Sequence, residues 1–484
     1  MAKKTKKTAT KGTFTATVVK PTASTDEGAP SGVNLDNFFS LMNKTGSRYI
    51  YAPCRDFWPA TTVNARIPPV VLLDANGQPL VDSNGKIIKL PANKWLDKYR
   101  PVEVLTWAPG QPMQIPDRLI SLGGWIKRTG VSCFNLYRPP RIKLGDPSKA
   151  EFWLAHILRI FPNDAAHIVA YFAHRVQRPE DKINHALVLA GPPGIGKDTI
   201  LEPVKHAVGE WNFLDATPKD LFAPFNSFAR SVILRINEAH DLGETDRFKF
   251  YQRLKIYSAS PPQVLRVNEK NIPEHYLPNV CAPIITTNHK TDGLYLPADD
   301  RRTYVAWSDC EKEGFEQDYW KKIWGNYRNG GFGNIAAYLH SYDLSHFDPK
   351  APPPKTAAFW EIVNVSIAPE DAELADLIDT LGKRDANGNL IEAVKALTIP
   401  ELIAKAQGEI SDWIANRGNR RSLPHRLARC GYTVMPNPDR PKDGLWKCNG
   451  TRQAIYVRSD MSAEKRLAAA REKLDPEHRG AGSV

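Results

Sequence analysis

Ala186-Leu187-Val188-Leu189-Ala190, followed by Gly191-Pro192-Pro193-Gly194-Ile195-Gly196-Lys197-Asp198-Thr199, decides the reading of this chain. The apolar run predicts a buried strand and Ile200-Leu201-Glu202-Pro203-Val204 predicts a helix, so the glycine-rich segment turns between them. Gly191, Gly194 and Gly196 let consecutive backbone N–H groups point inward, at the positive end of a helix dipole. That is a cradle for a polyphosphate, and Lys197 supplies a point charge to its β and γ groups. Residues 191–199 are therefore the expected ATP-binding loop. A glycine-rich turn with an incidental lysine would leave the strand–loop–helix order unexplained.

One position departs from the pattern. The residue after Lys197 is expected to be Ser or Thr, to hold Mg²⁺, yet it is Asp198, and the hydroxyl arrives one place later as Thr199. Downstream, Ser231-Val232-Ile233-Leu234-Arg235-Ile236-Asn237-Glu238 reads as an apolar strand with a polar tip. In P-loop ATPases such a strand ends near the γ phosphate, with one carboxylate assisting Mg²⁺ and the next polarising the attacking water. Glu238 is the expected general base, while Asn237 occupies the metal-assisting place without a charge. The two departures read together as an exchange, with the carboxylate missing at Asn237 reappearing at Asp198. The expected metal neighbourhood is thus Asp198, Thr199, Asn237 and Glu238.

A second apolar strand, Val280-Cys281-Ala282-Pro283-Ile284-Ile285-Thr286-Thr287, ends at Asn288, placed to orient the lytic water or sense the γ phosphate. Asp299-Asp300-Arg301-Arg302 then presents two guanidiniums before the strand Thr303-Tyr304-Val305-Ala306-Trp307. Either arginine can stabilise transition-state charge on a neighbouring subunit's ATP, with a local salt bridge to Asp299 and Asp300 as the alternative. Lys197, Glu238, Asn288, Arg301 and Arg302 form the expected catalytic set.

The length of 484 residues leaves room for about three domains at ~150 residues each. A net charge of +12 favours a polyanionic partner. Six cysteines with no C-x-x-C pair read as reduced thiols, and no apolar run reaches the ~20 residues of a bilayer span, so a soluble intracellular protein with no membrane partner is expected. The expected divisions are a disordered basic tail at 1–32 and a small aromatic-rich mixed domain at 33–146. A helical collar at 147–183 and an α/β, AAA+ type P-loop core at 184–345 follow. Then come a linker and helix at 346–394, a winged-helix-like domain at 395–460, and a terminal helix and tail at 461–484. In 33–146, Phe38, Trp58, Trp95 and Trp107 are expected to be core, although aromatics beside Arg55 and Arg66 also suit single-stranded bases. The stripe Phe315, Tyr319, Trp320, Ile323, Trp324 and Tyr327 reads as core closing the ATPase domain, and 347–355, rich in proline, as a stiff linker. Thr398-Ile399-Pro400-Glu401 is a capping box, and the basic helix at 421–429 points Arg421, Arg426 and Arg429 toward DNA phosphates.

The order of phosphate loop, Asn-Glu strand, the segment at 257–270, Thr-Thr-Asn strand and arginine pair resembles superfamily 3 helicases. More closely it resembles the helicase module of primase-helicases from phages and related mobile elements, over 147–307. The resemblance implies a hexameric ring driven by ATP and Mg²⁺ along one DNA strand, expected 3′ to 5′, in a bacterial host cytoplasm. It implies a hairpin in the ring channel at 264–272, with Lys270 as the leading phosphate contact and Arg266 and Asn268 near it. Single-stranded and forked DNA, further copies of this chain, and a separate primase or polymerase are the expected partners; a primase domain is not expected within this chain. A phosphoryl-transfer kinase sharing the loop is disfavoured by the Thr-Thr-Asn strand and the arginine pair. An initiator or loader that binds DNA without processive unwinding is the alternative favoured by Asp198 and Asn237.

Overall fold

The computed structural model describes residues 32–42, 48–74, 76–237, 243–289, 294–365, 369–385, 390–415, 423–440, 442–448 and 450–474. The basic tail before residue 32, the proposed base Glu238, Arg421 and the C-terminal end lie outside the described residues.

The centre is a five-stranded sheet of β1 (Ala186–Ala190), β2 (Phe213–Ala216), β3 (Ile233–Asn237), β4 (Ala282–Thr287) and β5 (Thr303–Trp307), in the spatial order β2-β3-β4-β1-β5. Every neighbouring pair is parallel. A parallel sheet covered on both faces needs unbroken apolar strands, and each residue of β1 and of β4 is buried. Because all five strands point one way, Gly191, Asn237, Asn288 and Ser308 emerge at one edge of the sheet. Functional groups gather at such an edge because the crossovers leave a crevice there.

The helices α1 (Glu151–Ile160) and α2 (Ala165–Gln177) precede β1. Ten of the 13 residues of α2 are buried. Its Tyr171 hydroxyl donates to Pro283 O at 3.1 Å and Arg175 Nη1 to Val280 O at 3.1 Å. From α1, the indole of Trp153 donates to Ile200 O at 3.1 Å. The expected collar is therefore an integral layer of the α/β core, since its polar side chains satisfy backbone carbonyls of the sheet and of α3 (Lys197–Val208).

The proline-rich stretch after residue 346 departs from the linker expectation in a similar way. Pro349 O accepts from Asn184 N at 2.7 Å, and Lys350 Nζ donates to Asp181 Oδ1 at 2.6 Å and to Lys182 O at 2.7 Å. The Thr356 hydroxyl then donates to Val305 O at 2.7 Å, and Phe359 of the next helix is fully buried in the main core. The stretch is a strap along the core, because the segment before β1 and the strand β5 offer it partners that an extended proline run cannot find in itself.

The C-terminal unit holds an antiparallel sheet of Ala396–Leu397, Ile455–Arg458 and Tyr432–Met435, with the last of these at one edge. Glu401 Oε2 accepts from Thr398 N at 2.9 Å, as the capping-box reading expects. Leu374, Leu377 and Ile378 of the helix Pro369–Asp379 share a core with Leu402, Leu423 and Leu427, so this unit recruits a helix upstream of 395.

The N-terminal unit pairs Asp56–Trp58, Arg48–Tyr51, Phe38–Leu41 and Pro101–Val102 in one sheet. Phe38, Trp95 and Trp107 are buried as expected of core, while Trp58 is half-buried. Two Asx turns shape this unit: Asp74 Oδ1 accepts from Asn76 N and Asp82 Oδ1 from Asn84 N, both at 2.8 Å.

A pair of buried imidazoles lies under the strap: His167 and His185 meet Nε2 to Nε2 at 3.0 Å, and Tyr304 stacks on His167 at 3.8 Å. Burial pushes His167 down to about 4, and burial followed by its histidine and lysine neighbours pushes His185 down to about 3. Both values lie below the unfolded value of roughly 6.5, so the unfolded chain binds the protons more readily. Stability is then complete above about pH 6.5 and is lost as pH falls toward 4. Thermal melts are expected to show a declining midpoint across that window, with a shallower decline in His167→Phe.

Candidate functional site

The loop after β1 turns on three glycines whose φ values, +151° at Gly191, +80° at Gly194 and +91° at Gly196, are ones that side-chain-bearing residues rarely adopt. At Gly196 a Cβ would also lie 2.6 Å from His156 Nε2 and 2.7 Å from a Trp320 ring carbon. The loop runs into α3 and borders a cleft of about 610 Å³ at the edge of the sheet. Pro193, Lys197, Asp198, Thr199, Arg235, Asn237, Thr286, Asn288 and Trp320 are among its lining residues.

Lys197 is the hub. Its ammonium donates to Gly191 O at 2.7 Å, Pro192 O at 2.9 Å and Asn288 Oδ1 at 2.8 Å. Burial pulls its pKa down to about 8, with the neighbouring Asp198 opposing the shift. Asn288 therefore meets the loop lysine directly, at the tip of β4 where the sequence puts it. Asn237 sits on the adjacent strand end and accepts from the Thr286 hydroxyl at 3.1 Å. Thr199 is buried, and its backbone carbonyl accepts from Tyr327 Oη at 3.0 Å.

Asp198 lines the same cleft, but its carboxylate is engaged. Arg235 Nη1 donates to Asp198 Oδ1 at 3.0 Å, while its Nε donates to Asp215 Oδ1 at 2.5 Å. Arg235 was not among the expected site residues, although a charged residue within the run of β3 is the signal for it. The exchange of carboxylates between Asn237 and Asp198 thus meets a cation that already holds Asp198. His156 and Trp320 are two further residues that sequence reasoning left out of the site. His156 bridges the Tyr319 hydroxyl at 2.7 Å and Gly196 O at 3.3 Å, and burial pushes its imidazole down to about 4, so it supports the loop as a neutral ring. The aromatic stripe around Trp320 thus walls the cleft as well as closing the core.

Arg301 and Arg302 are not on this cleft. They line a separate one of about 410 Å³ with Tyr251, Lys255, Arg426 and Arg429. Asp300 does not hold them in the expected salt bridge: its oxygens accept from Tyr251 Oη at 2.8 Å and from the Arg302 amide at 3.2 Å.

The expected DNA contacts separate by partner. The hairpin forms from Val264–Glu269 and Ile272–Pro278, with Lys270 exposed at its turn. Arg266 Nε donates to Glu274 Oε2 at 3.0 Å, and Asn268 is pinned through its amide to Asn226 Oδ1 at 2.8 Å and through its side chain to Pro224 O at 3.2 Å. Both are committed to holding the hairpin, which leaves Lys270 as the exposed cation. The hairpin base docks on the N-terminal unit, where Thr106 Oγ1 donates to Tyr276 O at 3.0 Å. Arg426 and Arg429 both pair with the buried Asp371, at 2.7 and 3.0 Å, so a carboxylate inside the C-terminal unit occupies the charges read as phosphate contacts.

No group of three or more His, Cys, Asp or Glu suited to a metal occurs among the described residues, and no helix there is long and apolar enough to cross a membrane. A family model described as a family of unknown function, DUF5906, matches residues 189–302, the segment from β1 to the arginine pair. No curated protein matches the chain. Among solved structures, the apo C-terminal region of NrS-1 shares the fold with a TM-score of 0.52 at 17% identity, covering 87% of this chain and 96% of that one. An A-form apo structure of the same region gives a TM-score of 0.49 at 17% identity, over 83% and 86% of the two chains.

The Lys197 geometry carries a pH signature. A phosphate group needs the ammonium form, which is depleted as pH rises through about 8. The affinity of a fluorescent ATP analogue is expected to fall above that pH in the wild type and to stay level in Lys197→Arg, whose guanidinium remains charged.

Proposed function

We propose that this chain is an AAA+ type, Mg²⁺-dependent ATPase that acts as a DNA helicase of phage or mobile-element replication. The observation that carries the reading is the meeting of Lys197 with Asn288 at the edge of an all-parallel sheet ordered β2-β3-β4-β1-β5. A phosphate-loop lysine and the polar tip of the neighbouring strand belong together when both must meet one bound γ phosphate. The fold shared with the C-terminal region of NrS-1 supports the same architecture.

In this reading the glycine cradle fits a triphosphate, because the positive φ values of Gly191, Gly194 and Gly196 let the loop curl ahead of the helix N-terminus, where phosphate oxygens find backbone donors. Lys197 and the helix N-terminus orient the phosphates, Asn288 registers the terminal one, and Trp320 shields the cleft beside it. Thr199 and Asn237, with Glu238, are the residues that would hold Mg²⁺, which supplies charge neutralisation to the phosphates. Arg235 keeps Asp198 neutralised, so Asp198 orients Arg235 rather than replacing a metal ligand. Arg301 and Arg302, set on a different cleft from their own chain's loop, suit service to a neighbouring copy, and a hexameric ring is the assembly proposed. The C-terminal unit, with its helices and small antiparallel sheet, is proposed as a winged-helix-like domain. Lys270 at the hairpin turn is proposed to contact a threaded strand, moving 3′ to 5′.

A second reading, an ATP-dependent initiator or loader, draws on the Asp198–Arg235 pair at 3.0 Å, which leaves the cleft with few open carboxylates. A strand-displacement assay on a forked duplex separates the two. The helicase reading expects ATPase activity stimulated by single-stranded DNA and unwinding that needs ATP, both reduced at least about a hundredfold in Lys197→Ala. Asp198→Ala is expected to retain more than half of the hydrolysis. DNA binding without unwinding at any ATP concentration supports the loader, and absence of DNA-stimulated hydrolysis defeats the motor.

A further inference from the structure

Where the N-terminal unit meets the parallel sheet there is a further polar cleft, of about 310 Å³, separate from the phosphate-loop cleft. Arg55, Phe57, Trp107, Arg138, Trp211 and Ile272 are among the residues that line it. Ile272 opens the return strand of the hairpin, so the cleft lies beside the hairpin that bears Lys270.

Three guanidiniums converge here. Arg138 stacks on the Trp211 ring at 4.6 Å, and Arg141 lies 5.9 Å from the same ring. Arg55, at φ +70° in a tight turn, reaches over Phe134 at 5.4 Å and donates to Tyr137 O at 3.4 Å. Burial, and then the charges of Arg138 and Arg141, hold the Arg55 guanidinium below its ordinary value. One carboxylate, Asp56, lines the cleft and accepts from the Cys54 thiol at 2.7 Å, while Glu269 pairs with Arg230 at 2.7 Å. The three guanidiniums outnumber that one acid, and like charges brought together at a junction between two folded units cost stability unless an anion joins them.

The arrangement is also built rather than loose. The carbonyl of Arg138 accepts from the Trp211 indole at 2.7 Å and from Asn212 Nδ2 at 2.8 Å. Those two bonds fix the segment that carries Arg138 and Arg141 onto the turn between α3 and β2. A guanidinium stacked on a ring presents its N–H edge outward, which suits a phosphodiester oxygen. The half-buried Phe57 and Trp211 add aromatic surface to the same wall, as unpaired bases require.

We infer that the cleft lined by Arg55, Arg138 and Trp211, with Arg141 beside the Trp211 ring, is a binding site for a single-stranded nucleic acid, taking its phosphates on the arginines and a base on the aromatic wall. It gives the N-terminal unit a role: to hold the strand next to the hairpin turn. This inference rests on the proposal that the chain engages nucleic acid.

The test measures binding of a labelled oligothymidine strand to the full chain by fluorescence anisotropy, without nucleotide, over a series of salt concentrations. Arg138→Ala/Arg141→Ala is expected to bind about tenfold more weakly, with the salt slope reduced by roughly one, and Arg138→Lys/Arg141→Lys to keep most of that slope. Arg141→Ala alone, at an exposed position, is expected to weaken binding about threefold with an unchanged melting temperature. A blunt duplex of equal length is expected to lose less affinity than the single strand in the double alanine variant. If the wild type binds oligothymidine and the double alanine variant binds it within a factor of about two at an unchanged slope, the site is wrong while the nucleic-acid reading survives. Equal losses on duplex and single strand overturn the single-strand assignment. Failure of the wild type to bind either polymer removes both this site and the reading beneath it.

Discussion

An ammonium group enclosed by carbonyl oxygens organises this protein. Lys197 joins Gly191 and Pro192 of its own loop to Asn288 at the tip of β4, and so fastens the first turn of α3 to the neighbouring strand. Remove that charge and the loop loses the contacts that tie it to the tip of β4. The enclosure has an electrostatic consequence: carbonyl dipoles satisfy the ammonium geometrically, but burial still favours the neutral amine, hence the depressed pKa. Under the function proposed above, a phosphate would compete with Asn288 for the same donor, which would couple the strand tip to the occupant of the loop.

The elements around Lys197 were legible in the sequence because two constraints coincide there. Parallel strands buried on both faces must be apolar throughout, and a backbone cradle must be glycine-rich, so β1, β3, β4, β5 and the loop carry unmistakable patterns. The residues that escaped notice are those whose role depends on meeting a distant partner. His156 sits on an amphipathic helix and reads as ordinary core, yet it closes on Gly196 O forty residues later in the chain. Trp320 belongs to a stripe whose period indicates burial but not which cavity it borders. Arg235 breaks an apolar strand, a visible anomaly, though nothing local says that Asp198 and Asp215 flank it.

Basic residues taught the opposite lesson. Arg266, Arg426 and Arg429 look like free cations in a chain of net charge +12, and each is paired within the fold. Charge counting along a sequence measures supply, not availability. Arg138 and Arg141, which stack near Trp211 and have no ion pair among the described residues, lie in a segment that the sequence offered no motif for, at the seam between two units.

The strap at 347–355 changes where the C-terminal unit is hinged. A bare proline run would behave as a spacer, letting that unit swing from residue 346 onward. Lys350 on Asp181 and Thr356 on Val305 instead weld the run to the sheet, and Phe359 continues the joint into the core. The free path from the parallel sheet to the C-terminal unit therefore begins past Phe359, more than ten residues later than the proline run alone would suggest.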